Sequence, residues 1–194
     1  RMGNKPKALL EREGVPLVRR AAECLLTIGL KEVVVVVGHQ FDRMTEVLQG
    51  LPLQIVQNPN PEEGQARSLQ LALLALSTPM TSVMVSLADM PLIEPEHLIP
   101  IWRAFEQRPQ VCHMVQPFNG EKLGNPVVID ADLADHWRES PTPEMGQSWR
   151  QKNPQSIHRW FTSLPHYFID LDTPVDLTRM QTEFGISLQW PSSI

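Results

Sequence analysis

An apolar run that stops at a single acid carries the clearest chemistry in the chain. Val83-Met-Val-Ser-Leu87 leads through Ala88 to Asp89, and Pro91 bars continuation as a central strand. A parallel strand ending this way delivers its carboxylate to the C-terminal edge of the sheet, where open α/β sheets bind ligands. A lone carboxylate there suits Mg²⁺ shared with a phosphate, because Mg²⁺ is held by one or two carboxylates plus substrate oxygens. The alternative is an acid that merely caps the next turn, and this segment alone leaves both open.

Four further constellations bear on the same chemistry. Arg1-Met-Gly-Asn-Lys-Pro-Lys7 places three cations and Gly3 in seven residues, a composition that can wrap phosphates or simply stay solvated. In Asn58–Ser68, Gly64 precedes a helical pattern whose first turn carries Arg67 and Ser68. Helix N-termini present free N–H groups to anions, although Gly64 is equally a helix break. Gly124-Asn125-Pro126 offers an amide able to contact a ring or sugar in two places, or an ordinary turn. Asp170 and Asp172, two apart on an expected strand, share a face; one of them can join Asp89 on a metal, while Asp172 or Thr173 caps the last helix.

Elements that would position these groups alternate along the chain. Hydrophobic periodicity predicts helices over 17–30, 41–48, 65–76, 94–105, 133–137, 145–151 and 174–184. Strands are expected over 32–37, 53–56, 83–87, 111–116, 126–129 and 166–171, with an irregular tail from Gly185. The all-valine run 33–37 suits a strand buried on both faces. Alternation implies an α/β fold with a mostly parallel sheet. Two strands meeting across Phe118–Gly124 add an antiparallel excursion.

Composition excludes several classes. The chain has 194 residues, enough for one domain. Its net charge is −5, which argues against non-specific nucleic-acid binding. No apolar run approaches membrane-span length, and no secretory leader is evident. Cys24 and Cys112 form no metal or redox motif and suit a reducing, cytoplasmic setting as small buried hydrophobes. The histidines lack metal-ligand spacing, no nucleophile–His–Asp set is visible, and a P-loop is absent.

RMGNKPKALL, VVVVVGH, NPNPEEGQARSLQLAL, SLADMPLI, GNPVVID and DLDTPVDL together resemble, in order, the MobA-like nucleotidyltransferase family. Within it the likeness is to molybdenum cofactor cytidylyltransferases, over Arg1 to about Leu177. The resemblance implies one three-layer α/β/α domain of the nucleotide-diphospho-sugar transferase fold across 1–194. The family's first strand and the LAAGxS part of its glycine loop are expected upstream of Arg1. It implies Mg²⁺-dependent transfer of CMP from CTP to the terminal phosphate of molybdopterin, releasing pyrophosphate. In that picture Arg1 and Lys7 stabilise the triphosphate, and Asp89 holds Mg²⁺ with Asp170 or Asp172. Gly3, Asn58, Gly64 and Ser68 line the nucleotide pocket, and Gly124, Asn125 and Pro126 face the pterin. A molybdenum hydroxylase or its maturation factor is the implied recipient. Two features depart from the family. KPK is one residue longer than the usual basic spacing, and the family's GDxGAR segment reads Pro143-Glu-Met-Gly-Gln-Ser148, with Glu144 in place of its acid and its Arg lost. Rival readings are a guanylyl or sugar- or polyol-phosphate transferase, and a non-catalytic chaperone that carries the cofactor on the same fold.

Overall fold

The computed structural model describes residues 6–77, 79–140 and 145–192. After a 3₁₀ turn, Lys7–Leu9, come the hairpin strands β1 (Glu11–Arg12) and β2 (Val15–Pro16). Glu13 and Gly14 join them with φ of 57° and 76°, the positive pair that a two-residue hairpin turn requires. The elements α1 (Leu17–Thr27), β3 (Val34–Val37), α2 (Phe41–Leu48), β4 (Gln54–Gln57), α3 (Gln65–Ala75), β5 (Ser82–Val85) and α4 (Pro95–Glu106) then alternate. They are followed by β6 (Met114–Phe118), β7 (Val127–Asp130), α5 (Ala131–Glu139), α6 (Gln147–Lys152), β8 (Ile157–Phe161), α7 (Pro174–Phe184) and β9 (Leu188–Gln189).

β3 and β4 pair in parallel. A second sheet runs β5-β7-β6-β8, with β7 antiparallel to β5 and to β6, and β6 parallel to β8. The antiparallel excursion is therefore the single strand β7. Among the described residues β3 pairs only with β4, and β5 only with β7. A small antiparallel sheet, β2-β1-β9, closes one end.

Side chains alternate across these strands as the period of two demands. Met114, Val127 and Ile129, with Val83 and Val85, pack on Leu73 of α3, Leu133, Ala134 and Trp137 of α5, and Trp149 of α6. Val115 and Val128, with Met84, face Ile101, Ala104 and Phe105 of α4. Val35 and Val37 pack on Val18 and Ala22 of α1 and on Met44 and Leu48 of α2. The strands thus lie between helical layers, a three-layer α/β/α arrangement. Both cysteines are buried and unpaired, and burial pushes the Cys24 thiol up to about 11. No helix among the described residues is long and apolar enough to cross a membrane.

Three expectations are corrected. Residues 166–171 are not a strand: Pro165–Tyr167 is a 3₁₀ turn, and the chain beyond it is irregular. The alternation that suggested a strand is real, since Tyr167, Ile169 and Leu171 are buried. Its backbone groups, however, bond to two different loops: Tyr167 O accepts from Asn125 N, and Leu171 N donates to Asp89 O. Ile157–Phe161 is instead a strand at one edge of the four-stranded sheet, disguised by exposed Arg and Phe side chains. The tail is not wholly irregular. Gly185, at φ 67°, ends α7 and lets Leu188 and Gln189 pair with β1.

Candidate functional site

Lys7 enters the site on the short 3₁₀ turn, anchored by Leu9 and Leu10, both fully buried. Asp89 follows β5 in a loop fixed by buried Met90, Leu92 and Ile93. Asp172 precedes α7, whose start is set by Thr173 and Asp176: the Asp176 carboxylate accepts from the backbone N–H groups of Asp172 and Thr173, at 2.9 and 2.6 Å. Thr173 is thus the N-cap, as one of the two expected readings had it, and Asp176 closes the capping box from the third helical position, which leaves the Asp172 side chain free to turn toward Lys7.

The three side chains converge. Lys7 Nζ donates to Asp172 Oδ1 at 2.6 Å and to Asp89 Oδ2 at 3.3 Å. Burial draws the Lys7 ammonium down, yet its hydrogen bond to Asp172 and the charges of Asp89 and Asp172 outweigh that and hold it above its ordinary value. Burial pushes Asp89 up, Lys7 pulls it back, and the nearby charge of Asp170 adds to the rise, leaving it above the usual carboxylate value. Two carboxylates thus point at one cation, with a third acid close enough to be felt. Asp170 is exposed and lies in the irregular segment, so the shared strand face expected for Asp170 and Asp172 does not exist. No group of three or more metal-ligating side chains occurs among the described residues. The donor set is the sparse, all-oxygen kind that suits Mg²⁺ completed by substrate oxygens.

Asn58 and Ser68 are brought together, by a bond from Asn58 Nδ2 to Ser68 Oγ of 3.0 Å. Asn58 is 1% exposed, accepts from Asn60 N through Oδ1, and donates its own N–H to Val37 O. Its side chain therefore shapes the loop from within. Gly64 opens α3 at φ 88°, a conformation that other residues rarely adopt. Gly38 closes β3 against this loop: a Cβ there would stand 2.6 Å from Pro61 Cβ. Arg67 is engaged with Gln70 and Glu63. Ala88 packs against the core cluster that holds Leu9 and Val37, and Asn58 N bonds to Val37 O, so the loop after β4 and the Lys7–Asp89 pair border the same end of β3.

Gly124-Asn125-Pro126 is joined to the carboxylates by one strap of chain. Tyr167 bonds to Asn125 at one end, while Leu171 and Asp172 meet Asp89 and Lys7 at the other. A Cβ on Gly124 would lie 2.4 Å from Tyr167 O and 2.8 Å from the Phe168 ring, so the glycine permits the close approach. The Asn125–Pro126 bond is cis. Arg1 and Gly3 lie outside the described residues. Sequence reasoning missed Gln116, whose Nε2 donates to Gly124 O at 2.9 Å; the only signal was a polar residue inside an apolar strand.

The sequence model of the MobA-like NTP transferase domain matches residues 1–157. The chain belongs to that family. A relative, a probable molybdenum cofactor guanylyltransferase from Natronomonas pharaonis, is 35% identical over 98 residues, 50% of this chain and 48% of that protein. The alignment thus spans about half the length of that curated relative. The fold is shared with a nucleotidyl transferase from Methanothermobacter thermautotroptrophicus, at TM-score 0.74, 20% identity and coverage of 92% and 84% of the two chains. It is also shared with molybdopterin-guanine dinucleotide biosynthesis protein A from Archaeoglobus fulgidus, at TM-score 0.69, 15% identity and coverage of 95% and 93%.

Proposed function

We propose that this MobA-like chain is a divalent-metal-dependent nucleotidyltransferase that joins a nucleoside monophosphate to the terminal phosphate of a molybdopterin-type acceptor. The observation that carries this reading is the meeting of Asp89 and Asp172 on Lys7 at the end of the sheet where this family's motifs converge. Asp89 and Asp172 would hold Mg²⁺, which supplies charge neutralisation for the triphosphate. Lys7 then bonds to phosphate oxygens as a point charge. An acceptor phosphate oxygen bonds to the α-phosphorus as the α–β P–O bond breaks, and pyrophosphate leaves. No protein nucleophile takes part. Alignment of the two phosphates and stabilisation of their charge supply the rate enhancement.

The loop around Asn58 shapes the nucleotide pocket, and Asn125 contacts the acceptor. CTP is the donor that the motif pattern favours. GTP is the second reading, favoured by the likeness to the probable guanylyltransferase of Natronomonas pharaonis.

Thermal unfolding with Mg²⁺ and each of CTP, GTP, ATP and UTP tests the proposal. A ligand at about 100 times its Kd adds roughly 2.7 kcal/mol to stability, a shift of several degrees in a domain of this size. Stabilisation by one triphosphate that is lost without Mg²⁺, followed by pyrophosphate release with molybdopterin, supports the reading. Absence of any shift refutes it and favours a cofactor-carrying role.

A further inference from the structure

The loop assigned to the acceptor rests on a buried amide that no motif marks. Gln116 lies in the middle of β6, where Met114 and Val115 are fully buried, and is itself 2% exposed. Its Nε2 donates to Gly124 O at 2.9 Å. Its Oε1 is shut from solvent with no partner among the described residues, a costly arrangement that an apolar residue would avoid. The bond to Gly124 completes a clamp on the loop backbone. Gly124 N donates to Pro117 O at 2.8 Å, and Asn125 N to Tyr167 O at 2.9 Å. Gly124 is pressed so closely on the Tyr167–Phe168 strap that it has no room for a Cβ. With three successive backbone groups fixed, the Asn125 side-chain amide is left without a partner among the described residues. It is held at the loop joined by the strap to Asp89 and Lys7.

We propose that Gln116 is a positioning residue for the acceptor: its bond to Gly124 fixes the loop that presents the Asn125 amide to the incoming molecule. The inference rests on Asn125 as an acceptor contact, and the test separates the two. Gln116→Met keeps the length and removes both the donor and the orphaned oxygen. Gln116→Glu keeps the oxygen and turns the donor toward Gly124 O into an acceptor, and it carries the same test should the methionine variant fail to fold. Asn125→Ala leaves the backbone clamp intact.

Steady-state kinetics with molybdopterin and the triphosphate, and amide hydrogen exchange at Gly124 and Asn125, are the readouts. Loss of one buried hydrogen bond predicts about a tenfold rise in the acceptor KM and a comparable acceleration of exchange in both Gln116 variants. The triphosphate KM stays within about twofold, the range expected where no contact to that substrate is lost. Asn125→Ala raises the acceptor KM with exchange at Gly124 unchanged. Unchanged exchange or an unchanged acceptor KM in the Gln116 variants, beside a raised KM in Asn125→Ala, overturns the positioning role alone. An unchanged acceptor KM in Asn125→Ala overturns the acceptor contact, and this inference with it.

Discussion

Lys7 and Asp172 lie 165 positions apart in sequence, yet Lys7 Nζ and Asp172 Oδ1 are 2.6 Å apart. Asp89 reaches the same ammonium from the end of β5. Lys7 therefore stands between the two carboxylates that would hold a divalent cation. On the proposed reading, a divalent cation and the ammonium would compete for the same oxygens until a triphosphate offered the lysine other partners. Lys7→Met should bind Mn²⁺ alone severalfold more tightly than the wild-type protein, and triphosphate more weakly. Titration of free Mn²⁺ by electron paramagnetic resonance measures the first, calorimetry the second. Equal Mn²⁺ affinity in the two proteins would remove the competition.

The same geometry separates the three acids. Asp89 and Asp172 touch Lys7, whereas Asp170 acts on Asp89 only through its charge. Asp89→Asn and Asp172→Asn should each lower kcat/KM by about 10²–10³, the usual cost of deleting a group that stabilises transition-state charge. Asp170→Asn should cost much less. Pyrophosphate-release kinetics on the three variants decide it, and an Asp170 variant as damaged as Asp172→Asn would reverse the assignment.

Much of this fold is legible in the residues. The valine run of β3, the acid after β5 and the proline-led starts of α4 and α7 each follow from local rules. The segment from His166 to Leu171 misleads because burial alternates with a period of two, while its hydrogen bonds go to separate loops; a sequence shows the first and hides the second. For that reason the choice between Asp170 and Asp172 is invisible before folding. Strand β8 is hidden for the converse reason, since an outer strand exposes residues that an inner strand would bury. Gln116 is visible only as a polar interruption, and nothing in the sequence names Gly124 as its partner.

Asn58 links the shape of the loop after β4 to the stability of the protein. It is buried and bonds through both ends of its amide, to Ser68 and to the Asn60 backbone. Asn58→Ala leaves those groups unpaired and should destabilise the protein by about 1–3 kcal/mol, measured by urea unfolding. Its triphosphate KM should rise while the acceptor KM holds. A variant as stable as the wild type, with nucleotide binding alone impaired, would show the amide reaching ligand rather than supporting the loop.

A pH response is built into the start of α4. Neutral His97 accepts the Glu94 backbone N–H at its Nδ1, 3.0 Å away, while its ring stacks on His166 with centroids 4.1 Å apart. Tyr167 donates its hydroxyl to His97 O. Burial and then the charge of His166 lower the His97 pKa, against smaller opposing effects of Glu96 and Glu94; Glu94 is itself paired with Arg12 and Arg20. A histidine held below its unfolded value binds fewer protons when folded. Its contribution is therefore complete above about pH 6.5 and is lost as pH falls from there through the folded pKa. His97→Gln keeps a side-chain acceptor at the third helical position and removes the titration. Across that window the wild-type protein should lose stability as the pH drops, and His97→Gln should lose measurably less. Parallel stability curves for the two proteins, from urea unfolding at a series of pH values, would assign the response to another group.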